Sequence, residues 1–190
     1  MFDEFLYNFY RSIRLDNSLY KDPKSYENIS LYFAGIIIII NGLAGLIAQN
    51  TFIEFIETNY NAVIPQTSLF SAMFFSLLLW IIWAVLIYII GGVIFPETNT
   101  VKNFKNILIV VGYGYAPGVF RCFAIIPELL APIILISMLW TFASITIGIK
   151  EILNFRSNFK SAGVVILVLL TIFAASLFFA REMVKLSLIN

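Results

Sequence analysis

The chain has 190 residues, 61% of them hydrophobic and only 12% charged, with a formal net charge of +1. An ordinary soluble domain is about half apolar and about a quarter charged, so this composition excludes a soluble domain and a disordered chain, and its near-neutral charge argues against a nucleic-acid partner. Zero histidines and a single cysteine remove the usual zinc sites, the Ser-His and Cys-His nucleophile pairs and any internal disulfide.

The first 28 residues form a polar leader. Phe2, Phe5, Leu6, Phe9 and Ile13 fall on one helical face, with Asp3, Arg11 and Arg14 elsewhere. That pattern predicts an amphipathic helix in the membrane interface; the plainer alternative is a flanking segment whose aromatics anchor the first span. Asp22-Pro23 marks a turn before helix resumes near Ser25.

Five charge-poor stretches follow. The first, 29–48, contains five consecutive isoleucines, Ile36 to Ile40, then Asn41-Gly42. It lies too far from the start and is too long for a signal-peptide core. The loop after it carries Glu54 and Glu57, which read as a solvated face more readily than as a cation site. The second stretch, 67–95, has no charge and exceeds the ~20 residues that a crossing needs. It predicts a tilted helix or an end near Gly91-Gly92. Trp80 and Trp83 sit in its middle, as packing residues would. The third, 107–126, is interrupted by glycines, a proline and Arg121. The fourth, 129–149, begins after Pro127-Glu128, and the fifth, 162–180, stops before Arg181.

Barrel strands alternate apolar and polar residues over ~10 positions, whereas these stretches are apolar on every side. In hydrocarbon, a helix satisfies its backbone within one segment. The prediction is an all-α, polytopic membrane protein: residues 29–190 form a bundle of five transmembrane helices behind the leader.

Charge sets the expected orientation. Arg11, Arg14, Lys21, Lys24, Lys102, Lys105, Lys150, Arg156 and Lys160 fall on one side of a five-span chain, and Arg121, Arg181 and Lys185 on the other. Cytoplasmic loops carry the excess of Lys and Arg, so the amino terminus is expected in the cytoplasm and the carboxy terminus across the membrane.

The candidate site is the run Gly112-Tyr113-Gly114-Tyr115-Ala116-Pro117-Gly118 with Arg121 and Glu128. Proline removes a backbone donor, and glycine permits close approach or a break. Within a membrane such a break survives only when buried among helices or lining a cavity. The run therefore predicts either a tightly packed kink or a hinge and ligand site. Arg121 either snorkels to the far interface, close to the end of its span, or pairs with Glu128 across the turn at Pro127. Cys122 reads as a small apolar filler.

The order of these features resembles the Yip1 domain family, particularly its short prokaryotic inner-membrane members. The resemblance rests on Asp22-Pro23, Gly91-Gly92, Gly112-Tyr113-Gly114-Tyr115-Ala116-Pro117, Pro127, Trp140, Gly148-Ile149-Lys150 and Ser161-Ala162. It implies five spans in the bacterial inner membrane with a cytoplasmic amino terminus. In eukaryotic relatives it implies trafficking roles and Rab GTPase binding through a longer amino-terminal region, which a 28-residue leader does not match.

The functional expectation is a non-enzymatic membrane protein with no cofactor and no metal, acting through contacts with membrane lipids, a second copy of itself or another membrane protein. Small-residue faces such as Gly42-Gly45-Ala48 and Ser144-Gly148 suit such helix contacts. The alternative is a small transporter or channel built on the broken third span.

Overall fold

The computed structural model describes residues 2–60 and 63–187. The leader forms α1 (Phe2–Ile13) and a short α2 (Ser18–Lys21), then a 3₁₀ turn at Pro23–Tyr26. Three long helices follow as α3 (Asn28–Tyr60), α4 (Leu69–Ile87, continued by a π-helical stretch at Tyr88–Ile94) and α5 (Phe104–Gly114, continued by a 3₁₀ stretch at Ala116–Ile125). A turn at Pro127–Leu129 leads into α6 (Leu130–Ile152), and α7 (Asn158–Ser187) completes the described chain. No strand occurs among the described residues. Five helical segments are long and apolar enough to cross a membrane. The protein is an all-α polytopic bundle.

The boundaries have local causes. Asp22 caps the first turn by accepting from the Lys24 amide at 3.0 Å. Ser68 accepts from the Ser71 amide at 3.1 Å and Asn103 from the Asn106 amide at 3.3 Å, so α4 and α5 begin where a side chain covers an orphan donor. The end of α6 is a Schellman turn: Asn154 takes the left-handed conformation at φ 59°, and the Phe155 amide donates back to the Lys150 carbonyl at 2.9 Å.

Helix α3 departs from expectation. Its apolar run ends near residue 48, yet the helix continues to Tyr60. No glycine or proline interrupts residues 46–64, so polarity ends the crossing without ending the helix. At 1.5 Å per residue the helix is about 50 Å long against a hydrocarbon core of ~30 Å. Its last turns, carrying exposed Glu54, therefore stand beyond the bilayer.

The leader, the α4–α5 connection and the α6–α7 connection meet at one end of the bundle, here the leader end. Lys105 Nζ donates to Asn28 Oδ1 at 2.7 Å. Lys160 pairs with Glu97 at 3.3 Å, and Lys21 with Glu151 at 3.7 Å. These three segments and the helix ends beside them carry nine of the cations. The chain end at Asn190, expected on the opposite side, lies outside the described residues.

The core lies in the leader half. The third span is its centre, with 61% of its apolar window buried, against 17% for the fifth. Glycine makes that centrality sterically feasible: a Cβ at Gly112 would stand 2.5 Å from the Ala34 Cβ, and one at Gly114 would stand 2.5 Å from the Ile145 Cγ1. Around this axis Phe33, Ile37, Ile87, Val110, Tyr113 and Ile149 close a continuous apolar core. Trp80 and Trp83 are buried as well, and Trp80 Nε1 donates to the Leu108 carbonyl at 2.9 Å. Both tryptophans pack, as their mid-span positions predict.

The leader belongs to this core. Phe5, Phe9 and Ile13 pack against it, while Phe2, Leu6, Tyr7 and Tyr10 stay exposed. The buried residues of α1 are small and polar, Asn8 and Ser12. Ser12 Oγ donates to the Tyr113 carbonyl at 2.5 Å, and Trp140 Nε1 donates to the Ile13 carbonyl at 2.8 Å. The helix is amphipathic, but it wedges between spans and does not float above them.

Candidate functional site

The third span changes character at Gly114. Pro117 has no amide to donate, so the α-helical ladder cannot continue through it. The chain tightens into a 3₁₀ stretch of 10 residues, Ala116–Ile125, far longer than the three or four residues usual for that helix. Such a change releases carbonyls from the ladder. The Tyr113 carbonyl is taken by Ser12, and the Gly118 carbonyl by the Arg121 Nε at 3.1 Å. The glycine–proline run is thus both a packing device and a supplier of acceptors.

Arg121 is turned inward. Its Nη2 donates to the Asn41 Oδ1 at 2.7 Å and to the Asn41 carbonyl at 3.3 Å. Asn41 lies 13 residues into α3, about 20 Å from that helix's start by rise alone, so the guanidinium is held between helices in the part of the bundle away from the leader. Two glycines make the room. A Cβ at Gly118 would collide with the Asn41 Oδ1, and one at Gly45 would lie 3.5 Å from the Arg121 Nη1.

This corrects the pairing read for Arg121. The side chain turns to backbone and amide acceptors within the bundle. It does not pair with Glu128, which is exposed on the turn beyond the extended residue Ile126; none of the described ion pairs involves Arg121. A cation at the centre of a membrane helix costs about 2.5–3.5 kcal/mol on insertion scales. Three neutral acceptors reduce that cost without cancelling the charge.

Two cavities meet at this arginine. One, of about 380 Å³, lies between α6 and α7 and is lined by Ile134, Ser137, Met138, Thr141, Phe142 and Val165. The other, of about 630 Å³, lies between α3 and α4 and is lined by Asn41, Gly45, Gln49, Thr67, Ser76 and Trp80. Trp83, Tyr115, Arg121 and Leu169 border both. Trp83 and Tyr115 meet edge to face at 6.3 Å between centroids, forming the lid between the cavities and the solid core. Gln49 Nε2 donates to Thr67 Oγ1 at 2.9 Å at the end away from the leader.

The groove is open because α7 leaves it. Val164, Val165 and Val168 bind α7 to the core, but every residue from Phe173 to Arg181 is exposed, the small Ala174 and Ala175 included. A helix exposed on all sides has no protein neighbour there. α4 and α6 likewise leave Phe70, Phe74, Leu135 and Leu139 exposed.

The other candidate residues are elsewhere. Gly91 and Gly92 are buried in the π-helical stretch of α4 at the leader end, where a Cβ on Gly91 would stand 2.7 Å from the Leu153 Cδ1. They admit the α6–α7 connection and take no part in the groove. Gly112, Tyr113 and Gly114 are core; Tyr115, Gly118 and Arg121 are at the groove, with Pro117 behind them. Glu128 is apart from all of these. The small faces read as contact surfaces are used internally: a Cβ on Gly42 would lie 2.6 Å from the Ser76 Oγ, and Ser144 lies 3.4 Å from Ser12 and Tyr20 hydroxyls. The residue missed by inspection of the sequence is Asn41. A lone amide following five isoleucines was its signal, since a polar group at that depth requires a partner.

The Yip1 domain model matches residues 10–179, an interval that takes in the leader from Tyr10 onward, the broken third span and most of α7. The chain belongs to the Yip1 domain family. Comparison with curated proteins and with solved structures finds no match. Membership and five apolar helices together make this an integral, multi-pass membrane protein. Yip1 proteins are in general non-catalytic.

Proposed function

We propose that this Yip1 protein is non-enzymatic and works by holding a membrane lipid in the lateral groove bounded by α4, α6 and α7. The observation that carries the reading is the detachment of α7 after Ile172, which leaves two joined cavities facing the hydrocarbon with no side chain to fill them. In a bilayer the filler at hand is lipid. Extraction in native lipid patches followed by mass spectrometry of the intact protein checks this: about one retained lipid per chain is expected, and Ser137→Phe, which fills the smaller cavity, should release it. Equal retention by both proteins, or none by either, would overturn the reading.

The same proposal places the leader end in the cytoplasm of a bacterial inner membrane, because nine of the 12 cations lie in the three segments gathered there and the helix ends beside them. A reporter inserted in the α3–α4 loop should be active only outside the cytoplasm.

A second reading, a small transporter, is favoured by one fact: the larger cavity runs from Gln49 and Thr67 to a charged residue between the helices. The packed core above Trp83 closes the path in this conformation. Liposome flux that is above background and is lost in Arg121→Ala would support transport; background flux in both would end it.

A further inference from the structure

We infer that Arg121 is a receptor for the acidic head of an anionic amphiphile, a phosphate or carboxylate, whose hydrocarbon chain lies in the cavity between α6 and α7. The inference rests on the lipid-groove reading and specifies what that groove selects.

The charge argument comes first. Within the five apolar stretches Arg121 is the only residue among Asp, Glu, Lys and Arg, and none of the described ion pairs includes it. Its neutral acceptors engage Nε and Nη2 alone; Nη1 donates to no described group. A guanidinium presents its donors in a planar fork that suits a carboxylate or phosphate. The interior supplies the cation and half of its hydrogen bonds, and leaves the counter-charge to come from outside the chain.

The shape argument is independent. The cavity on the α3–α4 side has largely apolar walls but carries polar groups at both ends, Gln49 and Thr67 at one and Asn41 and Ser76 nearer the arginine. The cavity on the α6–α7 side is walled mainly by aliphatic and aromatic side chains, with Ser137 and Thr141 among them; Ser137 is 1% exposed and its Oγ has no hydrogen-bond partner. A buried hydroxyl without a partner costs free energy until something supplies an acceptor or donor. A free inorganic anion would satisfy Arg121 and leave the apolar cavity empty; a neutral lipid would fill the cavity and leave the charge uncompensated. An acidic amphiphile meets both demands. Its head reaches Arg121 along the polar side from the leaflet opposite the leader, and its chain remains in contact with the bilayer through the gap beside α7.

The test uses the full chain, delipidated in mild detergent and titrated separately with phosphatidylglycerol, phosphatidylcholine, oleate and inorganic phosphate, bound species being counted by native mass spectrometry. The wild type should bind phosphatidylglycerol or oleate at least about tenfold more tightly than phosphatidylcholine, equivalent to one charged contact of ~1.4 kcal/mol; which of the two is preferred tells phosphate from carboxylate. Inorganic phosphate should not compete at millimolar concentration. Arg121→Gln should bind the acidic and the zwitterionic lipid alike, and Arg121→Lys should retain part of the preference. Equal binding of acidic and zwitterionic lipid by the wild type overturns acid recognition while the lipid groove stands; binding of no lipid at all overturns the groove itself. Competition by free phosphate would show an anion site with no role for the chain. Should Arg121→Gln fail to fold, the lysine variant and the four wild-type titrations still decide.

Discussion

The two halves of the bundle are made from the same apolar residues and end up in opposite conditions. In the leader half, small residues let backbones touch: Ala34 meets Gly112, and Ile145 meets Gly114. Orphan carbonyls there are met by Ser12 and Trp140, and Trp80 adds a bond to the Leu108 carbonyl. In the far half, α7 presents phenylalanines and leucines to open space and Arg121 waits on neutral acceptors. Hydrophobicity alone does not pull membrane helices together, since lipid tails are as apolar as leucine. Close packing and satisfied polar groups do, and only one half has both.

The comparison can be broken at its strongest point. Gly112→Leu should cost about 3 kcal/mol or abolish folding, because the obstacle is the Ala34 backbone and not a movable side chain. Gly163→Ala, which meets nothing within 4 Å, should change stability by no more than about 1 kcal/mol. Thermal melting in detergent measures both, and similar losses would refute the idea of a tight half. Next in size is Asn41→Leu, which removes a charge-assisted bond and should cost about 1.5–3 kcal/mol. Part of that loss should return in the double variant Asn41→Leu, Arg121→Leu, since the stranded charge is gone.

Ser12→Ala should cost about 1 kcal/mol through the Tyr113 carbonyl; earlier proteolytic cleavage of α1 checks that the loss is local. Leu177→Ala and Phe178→Ala on the detached part of α7 should stay within about 0.5 kcal/mol, and a larger loss would mean that the far half is packed after all. The smallest effect is a pH dependence. Burial works to raise the Glu97 carboxyl, but the Arg156 amide and the Lys160 ammonium outweigh it and hold the group below its ordinary value of 4.5. A carboxyl depressed on folding adds stability that is complete above its unfolded value and disappears as pH falls through the folded one. Melting temperature should therefore drop between about pH 5 and the depressed value, and Glu97→Gln should flatten that part of the profile.

The third span shows how far a sequence reading extends. Gly112, Gly114 and Pro117 announce a break, because propensity and the missing proline amide are local facts. They do not say that the break would tighten into a 3₁₀ helix, or which neighbour would take the Tyr113 carbonyl. Ser12 lies 101 positions away, and nothing in its surroundings marks it as a partner. Arg121 is visible in the sequence as an anomaly, but the Asn41 acceptors that it turns to lie 80 positions away and are not. Glu128 was linked to it by proximity along the chain, and an extended residue at 126 undid that link.

By itself the sequence determined the class of this protein. Charge-free stretches of bilayer length dictate helices, because hydrocarbon offers backbone groups no other partner. Clustered cations group three connections at one end. Tertiary structure decided the rest: that the leader is a wedge, that the small faces of α3 and α6 are spent within the chain, and that α7 parts from the bundle beside a half-buried arginine. The reason is range. Span formation depends on the composition of some twenty neighbouring residues, whereas the site depends on the side chains of Asn41, Arg121 and Ser137, brought together from three helices by packing that no local pattern encodes.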